Sequence, residues 1–107
     1  MSVRTTRATG AGAVATTIAP GYAWQLKEIR IHLSAGGAAT AFTATLDSGT
    51  NAAYDLLLYT KDMDGILDVL RTFDPPLEFD AGDEVDIAYT NGGAATFGLE
   101  VKYRSSH

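Results

Sequence analysis

From Val14 to the end of the 107-residue chain, apolar residues recur at every second position. In FGLEVKYR, Phe97, Leu99, Val101 and Tyr103 alternate with Gly98, Glu100, Lys102 and Arg104. In EVDIAY, Val85, Ile87 and Tyr89 share one parity. A period of two sends successive side chains to opposite faces of a strand, one face for a core and one for solvent. No stretch carries the 3.6-residue period of an amphipathic helix convincingly. The abundance of Thr, with Tyr and Phe spread through the second half, agrees with β structure.

The connections are short and rich in Gly, Pro and Asp. Val14–Ala19 reads as a strand ended by Pro20-Gly21. Trp24 and Leu26 lie on even positions, whereas Ile29, Ile31 and Leu33 lie on odd ones; the switch at Lys27-Glu28 predicts a β-bulge. Phe42, Ala44 and Leu46 form the next alternating set, followed by a turn at Asp47-Ser48-Gly49-Thr50-Asn51. Tyr54–Thr60 is apolar on both faces, which predicts a strand with one side in the core and the other against a subunit or covering loop. Leu67, Val69 and Phe73 predict a strand that Asp74-Pro75-Pro76 ends, because a proline pair cannot continue a central ladder. Leu77 and Phe79 form a short strand before the turn at Asp80–Asp83. The sum is about eight strands in an all-β antiparallel sandwich or small barrel.

Residues 1–13 lack this periodicity and read as an extended N-terminal arm that orders when bound, outside a single sandwich domain at 14–107. The arm holds Arg4 and Arg7 and no acid, whereas the net charge of the chain is −5 and nine acids lie between Asp62 and Asp86. An acidic body repels phosphates, so nucleic acid is not an expected partner and protein is. With no cysteine, disulfides, thiolate metal sites and a Cys nucleophile are excluded. No apolar core of a signal peptide and no membrane-spanning run is expected.

Catalytic patterns are sparse, and no enzyme activity and no cofactor are expected. His32 lies between Ile31 and Leu33, so its side chain faces away from theirs and reads as a surface or interface residue; His107 is terminal. Asp62, Asp64 and Asp68 in KDMDGILD invite a calcium reading, but the glycine and glutamate of a calcium loop are out of position, and a solvated acidic loop is the alternative. The pentapeptide GGAAT occurs at Gly36–Thr40 and Gly92–Thr96. It lacks the Lys-Ser/Thr of a phosphate loop and precedes a strand, not a helix, so each copy reads as a strand connection in which glycine supplies positive φ. Tyr22, Trp24, Tyr54 and Tyr59 are candidates for an aromatic sugar platform, each with a packing explanation beside it.

The strand series, and in particular FDAGDEVDIAYTN followed by FGLEVKYR, resembles small jelly-roll proteins of tailed bacteriophages, notably capsid decoration or cement proteins, over roughly residues 18–104. The resemblance implies a non-enzymatic virion component that binds the outer capsid, bridges major capsid protein subunits and forms a homo-oligomer, with a trimer favoured. It implies assembly in the bacterial cytoplasm and residence on the capsid surface. The arm, through Ser2, Arg4, Thr5 and Arg7, would attach to the coat, and Tyr54, Leu57 and Tyr59 would supply the subunit interface. Related sandwiches in phage tails and adhesins leave a receptor- or glycan-binding module as the alternative.

Overall fold

A computed structural model describes residues 3–106. Its eight strands are β1 (Val3–Gly10), β2 (Val14–Ile18), β3 (Trp24–Leu33), β4 (Ala41–Asp47), β5 (Leu57–Asp62), β6 (Asp68–Phe79), β7 (Glu84–Tyr89) and β8 (Phe97–Ser105). Two four-stranded antiparallel sheets have the orders β1-β8-β3-β6 and β2-β7-β4-β5, here called sheets A and B. Apart from the β4–β5 connection, every link between consecutive strands crosses from one sheet to the other. The result is a jelly-roll β-sandwich, the all-β class the alternation predicts.

The alternating residues do face inward. Trp24, Leu26, Ile29, Ile31, Leu33, Phe42, Val85, Ile87, Leu99 and Val101 are buried between the sheets. Trp24 closes one end of this core: its ring centroid lies 4.8 Å from Phe79 and 5.7 Å from Tyr103, and its Nε1 donates to the Asp83 carbonyl at 3.2 Å. That hydrogen bond satisfies the indole N–H that burial would otherwise strand. The parity switch at Lys27 is a register shift between Leu26 and Glu28 in both ladders of β3, as a bulge requires.

Three segments depart from the sequence reading. Val3–Gly10 is not a free arm: it pairs residue by residue with β8 from Val3↔Arg104 to Gly10↔Phe97 and forms the edge of sheet A. Its side chains are too polar to announce a strand, because only Ala8 packs on the core and β1 is held chiefly by its ladder. Pro75-Pro76 does not end β6, which runs on to Phe79. The prolines fall where Thr72↔Glu28 gives way to Leu77↔Leu26, opposite the β3 bulge, and β6 is an edge strand where a missing N–H costs no ladder bond. The strand expected at Tyr54–Thr60 begins later, at Leu57, after a 3-10 turn at Ala52–Tyr54. Asn51 Oδ1 accepts from the Ala53 amide at 2.8 Å and Asp55 Oδ1 from the Ser48 amide at 2.8 Å, so local side chains hold these residues in a turn.

The two GGAAT segments lie side by side at one end of the sandwich, where Ser34 and Thr96 exchange backbone and side-chain hydrogen bonds and the Thr40 and Thr90 hydroxyls meet at 2.9 Å. Their glycines do not supply positive φ. At the second copy that conformation falls on Asn91 (φ 54), the residue just before it, and on Ala94 (φ 52) within it. In the first, Gly37 is required by close approach: a Cβ there would collide with the Met63 carbonyl and touch the Tyr89 hydroxyl.

Candidate functional site

Three of the six large exposed apolar side chains among the described residues lie close together in sequence on the β5 side. Tyr54, Leu56 and Leu57 are 57%, 55% and 58% exposed, at the entry to the edge strand of sheet B. Leu57 faces outward in register with Thr45, Asp86 and Thr17. The adjoining outer row is Thr60, Thr43, Ala88 and Ala15. These two rows hold one charge, Asp86, whose carboxylate accepts from the Thr17 hydroxyl at 2.8 Å. The leucines therefore border two rows of small, nearly uncharged side chains, flanked by Asp47 and Glu84 on one side and by Asp62 on the other. A register shift between Ala44 and Thr45 bulges β5, and Lys61 and Asp62 end it, features that discourage open-ended strand addition.

Of the residues expected at a subunit interface, Tyr54 and Leu57 are outward and Tyr59 is not. Tyr59 packs half-buried against the core with its ring 6.4 Å from Phe42. The sequence reading missed Leu56, whose signal was its place in the same apolar run. Arg71, on the facing edge strand β6, lies 4.8 Å above the Phe73 ring and 5.9 Å from that of Tyr59, and so closes the gap between the sheets.

The outer face of sheet A is different in kind. Four cross-strand rows run over it: Val3–Arg104–Gln25–Glu78, Thr5–Lys102–Glu28–Thr72, Arg7–Glu100–Arg30–Leu70 and Thr9–Gly98–His32–Asp68. Opposite charges sit on neighbouring strands, the arrangement that stabilises a ladder. Glu100 accepts from Arg7 Nε at 2.9 Å and from Arg30 Nη2 at 2.6 Å. The hydrogen bond from Arg7, then that from Arg30, holds the Glu100 carboxyl below the ordinary carboxylate range. Arg104 Nε donates to Gln25 at 2.7 Å, and Gln25 Nε2 to Glu78 at 3.0 Å.

The expected coat-binding residues divide accordingly. Arg7 belongs to this lattice and Thr5 to its outer rows, whereas the Arg4 side chain makes no hydrogen bond or ion pair among the described residues. Ser2 lies outside the described residues. Trp24 is wholly buried, so it cannot be a sugar platform, and Tyr22 packs partly against the core. The acidic loop does not converge: Asp62 Oδ1 accepts from the Asp64 amide at 3.0 Å, while Asp68 pairs with His32 Nδ1 at 2.7 Å. Among the described residues no group of three or more His, Cys, Asp or Glu could hold a metal ion, and no helix is long and apolar enough to cross a membrane.

No protein-family model and no curated protein matches the sequence. Among solved structures the chain is similar to the Drosophila NLP core, in a study of pentamer formation and histone binding, at 12% identity with a TM-score of 0.49, covering 98% of this chain and 100% of that one.

Proposed function

We propose that this chain is a non-enzymatic structural subunit that self-associates through the β5 side and serves as a capsid decoration protein of a tailed bacteriophage. In that role it binds the outer shell and stabilises it by bridging major capsid protein subunits. The observation that carries the self-association is the group of Tyr54, Leu56 and Leu57, each more than half exposed beside two sheet rows that hold a single charge. Contiguous exposed apolar surface of this kind marks a contact site. A bulged edge favours side-chain packing in a closed ring, for which a trimer is the expected order, over an endless sheet.

The capsid assignment rests on the resemblance of the β7–β8 region to phage jelly rolls and on the jelly-roll topology. The basic residues of β1 are its expected contact with the acidic groups of a coat, now presented from a sheet edge. Two measurements test the reading. The mass of the native protein in solution is expected to be that of a trimer, and Leu56→Asp/Leu57→Asp to yield a folded monomer; a native monomer would overturn the self-association. Antibody labelling of intact particles is expected to decorate the capsid surface, and label confined to the tail would replace the decoration role with a tail component.

A further inference from the structure

Gly98 is the second residue of β8, an interior strand of sheet A, and it pairs with Thr9 on one side and His32 on the other, with no positive φ to require glycine. A Cβ placed there meets nothing within 4 Å. Glycine weakens a strand, and one use of it there is to let a ligand or another backbone approach closely. Around it, three consecutive residues from each of β1, β8, β3 and β6 line a hollow of about 680 Å³.

The register explains its shape. The middle row, Ala8–Leu99–Ile31–Val69, turns its side chains inward and leaves a floor of backbone. The rows on either side stand up as walls, and Gly98 is a gap in one of them. The groove therefore runs across the strands, about 14 Å over four strands at the usual spacing. Its volume falls in the range of about 300–1,000 Å³ typical of small-molecule sites.

We propose that this groove binds a neutral saccharide. The floor excludes an extended peptide bound by strand pairing, because β8 and β3 have ladder partners on both sides and offer no free edge. The walls do not select an anion: Arg7 and Arg30 are balanced by Glu100 and Asp68, and Glu100 already engages both guanidinium groups. What remains is a mixed rim. Arg7 retains its terminal N–H groups, and His32 and Asp68, joined through Nδ1 and Oδ1, each retain their second polar atom. Sugar hydroxyls both donate and accept, so a saccharide can satisfy such a rim where a purely donating or accepting ligand cannot. Leu70, 62% exposed, supplies an apolar flank for the C–H face of a ring. Glu100, the least exposed of the wall side chains, is held by both guanidinium groups, which lowers the ordering cost of binding at that wall. This site is independent of the β5 surface, and it shares Arg7 with the edge proposed to face the coat.

The test is an amide NMR titration of the isotope-labelled full chain with maltotriose, cellotriose and tri-N-acetylchitotriose, with sodium sulfate and tetra-alanine as alternative probes. At least one trisaccharide is expected to shift the Gly98, Ile31 and Leu99 amides saturably. Gly98→Leu, which fills the gap, should weaken that binding by about tenfold or more while preserving the remaining spectrum. Asp68→Ala should do the same, and it decides the matter if Gly98→Leu does not fold. Saturable shifts from no trisaccharide, shifts mapping elsewhere, unchanged affinity in a folded variant, or occupation of the groove by sulfate or tetra-alanine instead would each overturn the proposal.

Discussion

The side chain of Asn91, in the second GGAAT turn, donates from Nδ2 to the Gly12 carbonyl at 2.9 Å, and so ties the β7–β8 connection to the link between β1 and β2. The same nitrogen reaches the Ala95 carbonyl at 2.8 Å and that of Ala11 at 3.4 Å. Asn91 is 5% exposed, the one buried polar residue among those described. Because β1 has little stake in the core, this amide is a main tether of the N-terminal strand beyond its ladder.

Asn91→Ala is therefore expected to lower stability by about 1–3 kcal/mol, the cost of leaving buried acceptors unpaired. Part of the loss should come from backbone strain, since alanine pays about 1–2 kcal/mol for the left-handed conformation that Asn91 adopts. Asn91→Gly removes that strain and should fall between the two in urea denaturation. Amide exchange should report faster opening of β1 in both variants.

Gly37 and Gly98 should respond oppositely to alanine. At Gly37 the new methyl meets the Met63 carbonyl and must displace backbone, with a loss of about 1–3 kcal/mol. At Gly98 it enters open space, and the variant should equal or exceed the parent by about 0.5–1 kcal/mol. Thermal melts of the two variants provide the check.

Glu100 should make stability depend on acid. Its folded-state pKa is depressed by Arg7 and then Arg30, so its contribution is present above the ordinary value of 4.5 and is lost as pH falls through the lower folded value. Urea midpoints of the parent should drop more steeply below pH 4.5 than those of Glu100→Gln, which lacks the titrating group. Parallel curves would remove Glu100 from the acid response.

Arg71 should matter through its rings and not through a carboxylate. Arg71→Met keeps the stem and removes the cation above Phe73 and Tyr59, with an expected loss of about 0.5–1 kcal/mol. Tyrosine fluorescence during denaturation would detect the loosened β5–β6 edge.

Much of this molecule was legible locally. Alternation alone placed Trp24, Ile31, Phe42, Ile87, Leu99 and Val101 inside, and the parity switch at Lys27 located the bulge. Such signals need only neighbouring residues, because the pleat makes side-chain direction a local property. The strand count of the sequence reading also matched, but through two compensating differences: β1 was missed, and the prolines divided β6. Both were decided by pairing. Val3–Gly10 is a strand because β8 offers it an edge from the far end of the chain, and Pro75-Pro76 is tolerated because β6 is itself an edge. The two GGAAT copies likewise diverge according to what packs on them, Met63 against Gly37 in one case and the β1–β2 link against Asn91 in the other. The groove at Gly98 belongs to no single segment: its rim is assembled from four strands, and only the register that aligns Arg7, Glu100 and Arg30 beside Gly98, His32 and Asp68 creates it. Sequence alternation determined which side of each strand is buried; tertiary pairing, which is non-local, decided which strands are neighbours and hence what their outer faces can bind.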